Sequence, residues 1–340
     1  MSKASSYMVY TPMRIDVGGC RGCRRGSKSA SRKIRLSSGQ SPGDILMLTA
    51  AVRDLHKAYP GRFLTDVKTS CHEIWENNPY ITNLDDEEGV LAIECHYPLI
   101  HKSNTSPYHF IHGYAQYLEE RLRVKIPLTD FKGDIHLSRQ ERGWAPQVDG
   151  DFWIIVAGGK HDFTAKWWNP KSYQAVVNHF SGKIRFVQVG EKHHWHPPLK
   201  NVIDLRGKTD LRQFIRLMYH AKGVVCPVTF AMHAAAAVPM KSGRRKNRPC
   251  VVIAGGREPQ QWEAYPHHRY LSTNGCLPCC DNGGCWVSRC QKVGDGDKKD
   301  RENLCQLPVK ISKDLVIPKC MSMIEPRDVI RAIEMYESYK

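Results

Sequence analysis

The sequence predicts an α/β protein built from two doubly wound parallel sheets that face a cleft, with a cysteine-rich metal finger near the C-terminus. Three observations lead there. Short apolar runs are each closed by glycine and followed by a segment with helical spacing of apolar residues, the pattern of a parallel sheet with crossover helices. The pattern is interrupted once, by polar residues 138–150 with Pro146 and Gly150, which read as a linker between two domains. Finally, seven of the 13 cysteines (Cys276, Cys279, Cys280, Cys285, Cys290, Cys305 and Cys320) crowd a segment that otherwise reads as loop.

Residues 1–40 form a polar arm rich in Gly, Ser and Arg. Residues 43–60 carry Ile45, Leu46, Leu48, Val52, Leu55 and Tyr59 at largely helical spacing, so a helix starts near Pro42-Gly43-Asp44. A helix that opens on glycine after proline leaves backbone N–H groups free to face a cleft, with Asp44 beside them. Residues 62–67, 89–95 and 108–122 then read as strand, strand and helix, giving a first domain over residues 41–145. In the second domain, residues 150–272, strands are expected at 152–156, 184–189, 223–226 and 250–254, with helices at 172–180, 211–220 and 231–238. Gly158-Gly159, Gly190 and Gly255-Gly256 end three of those strands. The finger occupies residues 273–322 and a last helix residues 323–340.

With 340 residues, an apolar fraction of 41% and a mean hydropathy of −0.48, the chain has the composition of a soluble protein. No apolar run approaches the ~18 residues of a membrane helix; the longest are residues 153–157 and 251–254. The formal charge of +16 asks for an anionic partner: nucleic acid, lipid headgroup or nucleotide phosphate. Part of it lies in residues 21–35, with Arg24, Arg25, Lys28, Arg32 and Lys33, and in residues 241–248, with Arg244, Arg245 and Lys246. Neither patch interleaves aromatics for base stacking, so both read as solvated loops and nucleic acid is not the expected partner. No apolar secretory segment opens the chain, so a cytoplasmic location with reduced thiols is expected. The isolated Cys71, Cys95, Cys226 and Cys250 read as core residues.

In the cluster, Cys276-Leu-Pro-Cys279 has the two-residue spacing of a metal knuckle, in which a tight turn aims two thiolates at one ion. Cys305 and Cys320, each beside a proline, are candidates to complete a tetrahedron, with Cys285 the main competitor. Iron and zinc both accept four thiolates. A closed site of this kind is structural and names no reaction, because no coordination position is left for substrate. His193, His194 and His196 around Trp195 lack partner carboxylates at ligand spacing and read as a surface loop or acceptor contact.

Ser41-Pro-Gly-Asp44, with Leu46, Thr49 and Ala58-Tyr-Pro60, resembles the opening motif of the ADP-heptose glycosyltransferases, the heptosyltransferase family. Thr164-Ala-Lys166-Trp167, then Thr229 with His233-Ala-Ala-Ala-Ala237 and Pro239, and Cys320-Met321 before a final helix extend the resemblance. Residues 159–168, 186–191 and 255–259 look closest to the bacterial autotransporter heptosyltransferase branch, which carries a cysteine-bound iron in a small finger. The resemblance covers about residues 40–335.

It implies the glycosyltransferase B fold, with the donor nucleotide held mainly by the second domain. It also implies an inverting transfer of heptose from ADP-heptose to a hydroxyl acceptor, a protein Ser or a saccharide. Taken alone Asp44 reads first as a helix cap, but it matches the family's base, and the resemblance reverses that preference. Lys166 matches the lysine that pairs with donor phosphates, and Lys160 is a second cation nearby. Thr229, Ala231, Met232 and His233 open a helix whose N-terminus can bind the same diphosphate. Glu258, Trp262 and Tyr265 line the nucleotide pocket or pack the finger.

The implied cofactor is a structural iron, with zinc as the alternative, beside metal-independent catalysis in which lysines and helix dipoles carry the phosphate charge. A homo-oligomer is implied because the related branch forms large rings. One departure bears on the donor: Pro227-Val228-Thr229-Phe230 stands where many members have Asp-Thr-Gly, so the carboxylate that touches the sugar is missing. Two rivals stay open, a glycosyltransferase using another nucleotide sugar and a non-catalytic basic nucleic-acid-binding protein with a metal ribbon.

Overall fold

The structure, a computed structural model, describes residues 31–96 and 102–338. Its first sheet is parallel and ordered β2-β1-β3, from β1 (Arg32–Ser38), β2 (Phe63–Thr69) and β3 (Leu91–Glu94). Leu36 lies opposite both Val67 and Ile93. This corrects the limit of the basic arm: its last residues are the central strand of the sheet. Ile34, Leu36 and Ser38 are buried while Lys33, Arg35 and Ser37 point to the other face, a period-two pattern masked by the basic composition. Residues 1–30, with the rest of that patch, lie outside the described residues.

The helix α1 (Pro42–Ala58) starts on proline with Asp44 in its first turn, as the N-terminal rules favour. It is buried on every side from residue 45 to 55, the signature of a helix enclosed by neighbours. It packs on α2 (Ile111–Leu122) in its own domain and reaches the second domain on another side. The expected linker is not loose. Ser138 Oγ accepts from the Glu141 N–H at 3.0 Å and Glu141 accepts from the Ser138 N–H at 2.8 Å, a capping box that starts α3 (Arg139–Gly143).

The second sheet joins β4 (Trp153–Ile155), β5 (Phe186–Gln188), β6 (Ile203–Asp204), β7 (Gly223–Pro227), β8 (Cys250–Gly255) and β9 (Arg269–Ser272), all parallel, in the order β6-β5-β4-β7-β8-β9. In chain order this is three-two-one-four-five-six, the Rossmann arrangement, whose crevice opens where the winding reverses, between β4 and β7. Its helices are α4 (Pro170–His179), α5 (Leu211–His220), α6 (Phe230–Ala237) and the single turn α7 (Gln260–Glu263). The finger folds around a hairpin of β10 (Pro308–Lys310) and β11 (Val316–Pro318), then α8 (Lys319–Ser322) leads to α9 (Pro326–Glu337). Val329, Ala332 and Ile333 of α9 bury against Tyr173 and Val176 of α4.

The second basic stretch is only partly surface. Arg248 is 1% exposed and donates to the carbonyls of Ala235, Val238 and Pro239 at 3.0 to 3.1 Å, closing the C-terminus of α6. Arg244 pairs with Asp151 at 2.6 Å. The four isolated cysteines are buried, as expected. Among the described residues no helix is long and apolar enough to cross a membrane.

The two domains share one contiguous apolar core, which runs from Ile34 and Leu46 through Phe110 to Met218, Trp262 and Tyr265. Across it, Arg212 of α5 grips Glu141 bidentately at 2.7 and 2.8 Å and donates to the carbonyls of Glu73 and His136. The Phe110 N–H donates to the Trp262 carbonyl at 3.1 Å.

Candidate active site

The crevice between β4 and β7 is built by close backbone approach. Gly158, just past β4, has φ of +115°, and a Cβ there would lie 2.0 Å from the Trp195 carbonyl oxygen, so only glycine fits. Gly159 and Trp195 then exchange N–H···O bonds of 2.9 and 3.0 Å. The turn at His161–Lys166 follows and delivers two lysines. Lys166 Nζ donates to the Val228 carbonyl, between β7 and α6, at 3.2 Å. Lys160 Nζ crosses the cleft to Ser41 Oγ, at the start of α1, also at 3.2 Å. Both cations therefore sit where the N-termini of α1 and α6 converge.

Thr229 precedes α6 in extended conformation and its side chain does not cap the helix. Met232 N–H turns back to the Thr229 carbonyl at 3.0 Å, leaving the earliest amides of the turn available to an anion. The Met232 side chain is fully buried, so only its backbone belongs to this turn.

His233 sits further along the same helix with its ring against Gly43: a Cβ there would lie 3.0 Å from His233 Cδ2. Its Nδ1 shares a 2.9 Å hydrogen bond with the Tyr265 hydroxyl, and Nε2 lies 3.7 Å from Glu263 Oε2. Burial, with His109 and Lys166 adding to it, holds its pKa well below the ordinary value, so the ring is neutral near pH 7. Burial likewise raises the Glu263 carboxyl well above the usual range, helped by Glu258 and Asp44. Glu258 goes the other way: burial favours its neutral form, but Arg257 and Lys166 outweigh burial and keep it ionised. It ion-pairs with both, at 2.7 Å from Lys166 and in a short contact with Arg257.

The structure thus brings Asp44, Lys160, Lys166, Thr229, His233 and Glu258 together. Trp262 belongs elsewhere. It is fully buried between Phe110 and Trp286, with ring centroids 6.0 and 6.5 Å away, and packs the domains and the finger rather than facing the crevice. Tyr265 is likewise buried in the shared core. One residue that the motif at 186–191 includes but to which it assigns no role is Glu191, exposed just past β5, the strand whose C-terminal acid binds the ribose hydroxyls in this topology. Its signal is Gly190-Glu191 directly after an apolar strand.

In the finger, Cys279, Cys280, Cys285, Cys305 and Cys320 line one small enclosed cavity of about 20 Å³. Cys276 is exposed and does not line it, so it stands apart from the other four cysteines that spacing and prolines single out. Cys280, which spacing does not single out, points into the same space and meets Gly256, where a Cβ would come within 2.9 Å of its sulfur. Among the described residues no three His, Cys, Asp or Glu side chains are disposed to hold a metal ion as they stand. The donor set nevertheless fits a thiolate-bound metal: free thiols from four parts of the finger around space for one small ion. The finger leans on the crevice, since Thr164 Oγ1 accepts the Cys290 N–H at 2.8 Å and Arg257 Nε donates to the Val287 carbonyl at 2.6 Å.

Two Rossmann-like domains, with cations and a helix N-terminus at the switch point of one, make a crevice of the kind that holds a phosphate-bearing ligand, and the family the chain matches is one of glycosyltransferases. The chain belongs to glycosyltransferase family 9, the heptosyltransferases, whose family model matches residues 100–283. Among curated proteins none matches its sequence. Among solved structures it is similar to a family 9 glycosyl transferase from Veillonella parvula DSM 2008, at 15% identity over 92% of this chain and 99% of that one, with a TM-score of 0.59. It is also similar to TibC from enterotoxigenic E. coli H10407, an iron-containing dodecameric glycosyltransferase, at 17% identity over 91% and 77% with a TM-score of 0.60. The complex of TibC with ADP-D-β-D-heptose matches at 16% identity over 93% and 81%, TM-score 0.59. At these identities the likeness is one of fold.

Proposed function

We propose that this protein transfers a heptose from ADP-heptose to a hydroxyl acceptor with inversion. The observation that carries the reading is the convergence of the start of α1, which carries Asp44, on the start of α6: Lys160 reaches Ser41 at 3.2 Å, Lys166 reaches the Val228 carbonyl at 3.2 Å, and the His233 ring lies against Gly43. Asp44 takes the acceptor hydroxyl proton as the oxygen attacks the anomeric carbon, and the bond from that carbon to the β-phosphate oxygen breaks. ADP leaves with the electron pair, its charge met by Lys166, Lys160 and the amides at the start of α6. Glu191 is placed to hold the ribose. No metal takes part in this step.

A structural iron or zinc belongs to the same proposal. Cys280, Cys285, Cys305 and Cys320 are our ligand set, with Cys279 as the neighbouring thiol and Cys276 outside it. TibC is iron-containing and dodecameric and binds ADP-heptose, which supports iron, homo-oligomerisation and this donor here. A cytoplasmic location fits the reduced thiols. The acceptor is a Ser of an autotransporter-like protein or a saccharide.

Val228, buried in place of a carboxylate, favours a second reading in which the donor is another nucleotide sugar. Calorimetry with ADP-heptose, UDP-glucose and GDP-mannose on wild type and Lys166→Ala separates the two. Selective binding of ADP-heptose, lost in the variant, is the expected result. Preference for another nucleotide sugar supports the second reading, and binding of none overturns both.

A further inference from the structure

We propose that Glu263 is a positioning residue for the transfer step: with His233 and Tyr265 it forms a clasp from the second domain that grips α1 at Gly43 and Met47, on either side of Asp44. The inference rests on the reading of Asp44 as the base. Gly43 and Met47 lie one helical turn apart with Asp44 between them. The Tyr265 hydroxyl donates to Met47 Sδ at 3.4 Å, so toward His233 it acts as the acceptor of the 2.9 Å bond from Nδ1. That assigns the ring proton to Nδ1 and turns the lone pair of Nε2 toward Glu263 Oε2, 3.7 Å away. Glu263 is 5% exposed and its Oε2 has no hydrogen-bond partner.

Only a carboxylic acid suits this place. A carboxylate would face a lone pair, whereas an acid can donate to it; at 3.7 Å the pair is beyond hydrogen-bond range, and a donated bond requires the two groups to approach to about 3 Å. The facing groups are His233 from α6, Glu258 and Arg257 after β8, and Lys166 after β4, with Asp44 from α1, Tyr265 and Tyr270 beyond α7, and His109 before α2. Burial, Glu258 and Asp44 keep the proton on; Lys166 and Arg257 oppose them and lose. The protonated acid is the form that can complete the clasp, and ionisation of Glu263 on the alkaline side removes that donor.

The test compares wild type, Glu263→Gln, Glu263→Ala and Asp44→Asn, with ADP-heptose as donor and ADP release to water as the turnover signal. Gln keeps the hydrogen-bond donor and is expected to hold kcat within about threefold of wild type. Ala is expected to lower kcat on the order of 10- to 100-fold with KM for ADP-heptose unchanged, the cost of a misplaced base. The alkaline fall in wild-type kcat should disappear in the Gln variant. A raised KM with normal kcat in Ala, a Gln variant as poor as Ala, or an alkaline limb that persists in Gln overturns the proposal. Hydrogen exchange at the amides of residues 43–47, without nucleotide, is an independent readout: faster in Ala and unchanged in Gln supports the clasp, and equal rates in all overturn it. If wild type and Asp44→Asn turn over ADP-heptose alike, the reading of the base has failed, and exchange alone decides the clasp.

Discussion

Lys166 Nζ lies 2.7 Å from Glu258 Oε1, so the cation assigned to the donor phosphate is already neutralised by a carboxylate that is itself 1% exposed. Arg257 holds the same oxygen. The arrangement keeps Lys166 aimed at the start of α6, and in the proposed reaction an incoming diphosphate competes with the carboxylate for it.

Glu258→Gln leaves Lys166 and Arg257 without their anion. Its Tm should fall, and saturating ADP should raise that Tm by more than it raises wild type, because the ligand supplies the lost charge. Scanning calorimetry with and without ADP reads both shifts; an equal ADP shift in the two proteins contradicts the competition.

Asp44→Asn keeps the shape of the side chain and removes its basicity. We expect kcat for heptosyl transfer to drop about 10²- to 10⁴-fold while ADP-heptose affinity stays within about twofold. Single-turnover kinetics beside calorimetry would check this, and a loss of affinity in place of rate would reassign Asp44 to binding.

Arg212→Ala strands the buried Glu141 carboxylate and opens the joint between domains, at a cost of about 3–5 kcal/mol measured by denaturant titration. Burial favours neutral Glu141, but the Arg212 pair and the Ser138 bonds outweigh it and hold its pKa below the ordinary value. The pair therefore stabilises fully above the usual carboxylate range and loses its contribution as pH falls through the depressed value. The stability gap between wild type and Arg212→Ala should narrow in acid.

Cys280→Ser and Cys320→Ser should each abolish copurified iron or zinc and lower Tm, whereas Cys276→Ser should retain about one metal per chain. Elemental analysis of the three variants tests the ligand set directly. Metal loss in Cys276→Ser would restore the knuckle that spacing suggested.

Much of the second domain was legible because its elements are local. Residues 211–220 fall wholly on α5, with a capping box from Asp210 to Gln213 and apolar residues on one face. β1 escaped because Arg32, Lys33 and Arg35 dominate its composition while Ile34 and Leu36 carry its alternation. At the cleft, Asp44, Lys166 and His233, which the motifs single out, lie on elements that converge there. Arg212 and Glu141 were not legible, because a contact across 71 positions leaves no periodic trace. Trp262 and Glu263 belong to a single helical turn whose buried faces only tertiary packing decides. Among the cysteines, Cys279, Cys285, Cys305 and Cys320 line the finger's cavity, while Cys280 is not legible from spacing because the turn that Pro278 begins is what sends it inward.

The core that runs through both sheets makes the molecule one cooperative folding unit rather than two tethered ones. Residues such as Ile45, Met47, Phe110 and Tyr265 have no interior of their own to retreat into if the halves part. Thermal denaturation should give a single transition, and a cut between α3 and β4 should yield two sticky, unfolded fragments instead of a free nucleotide-binding half.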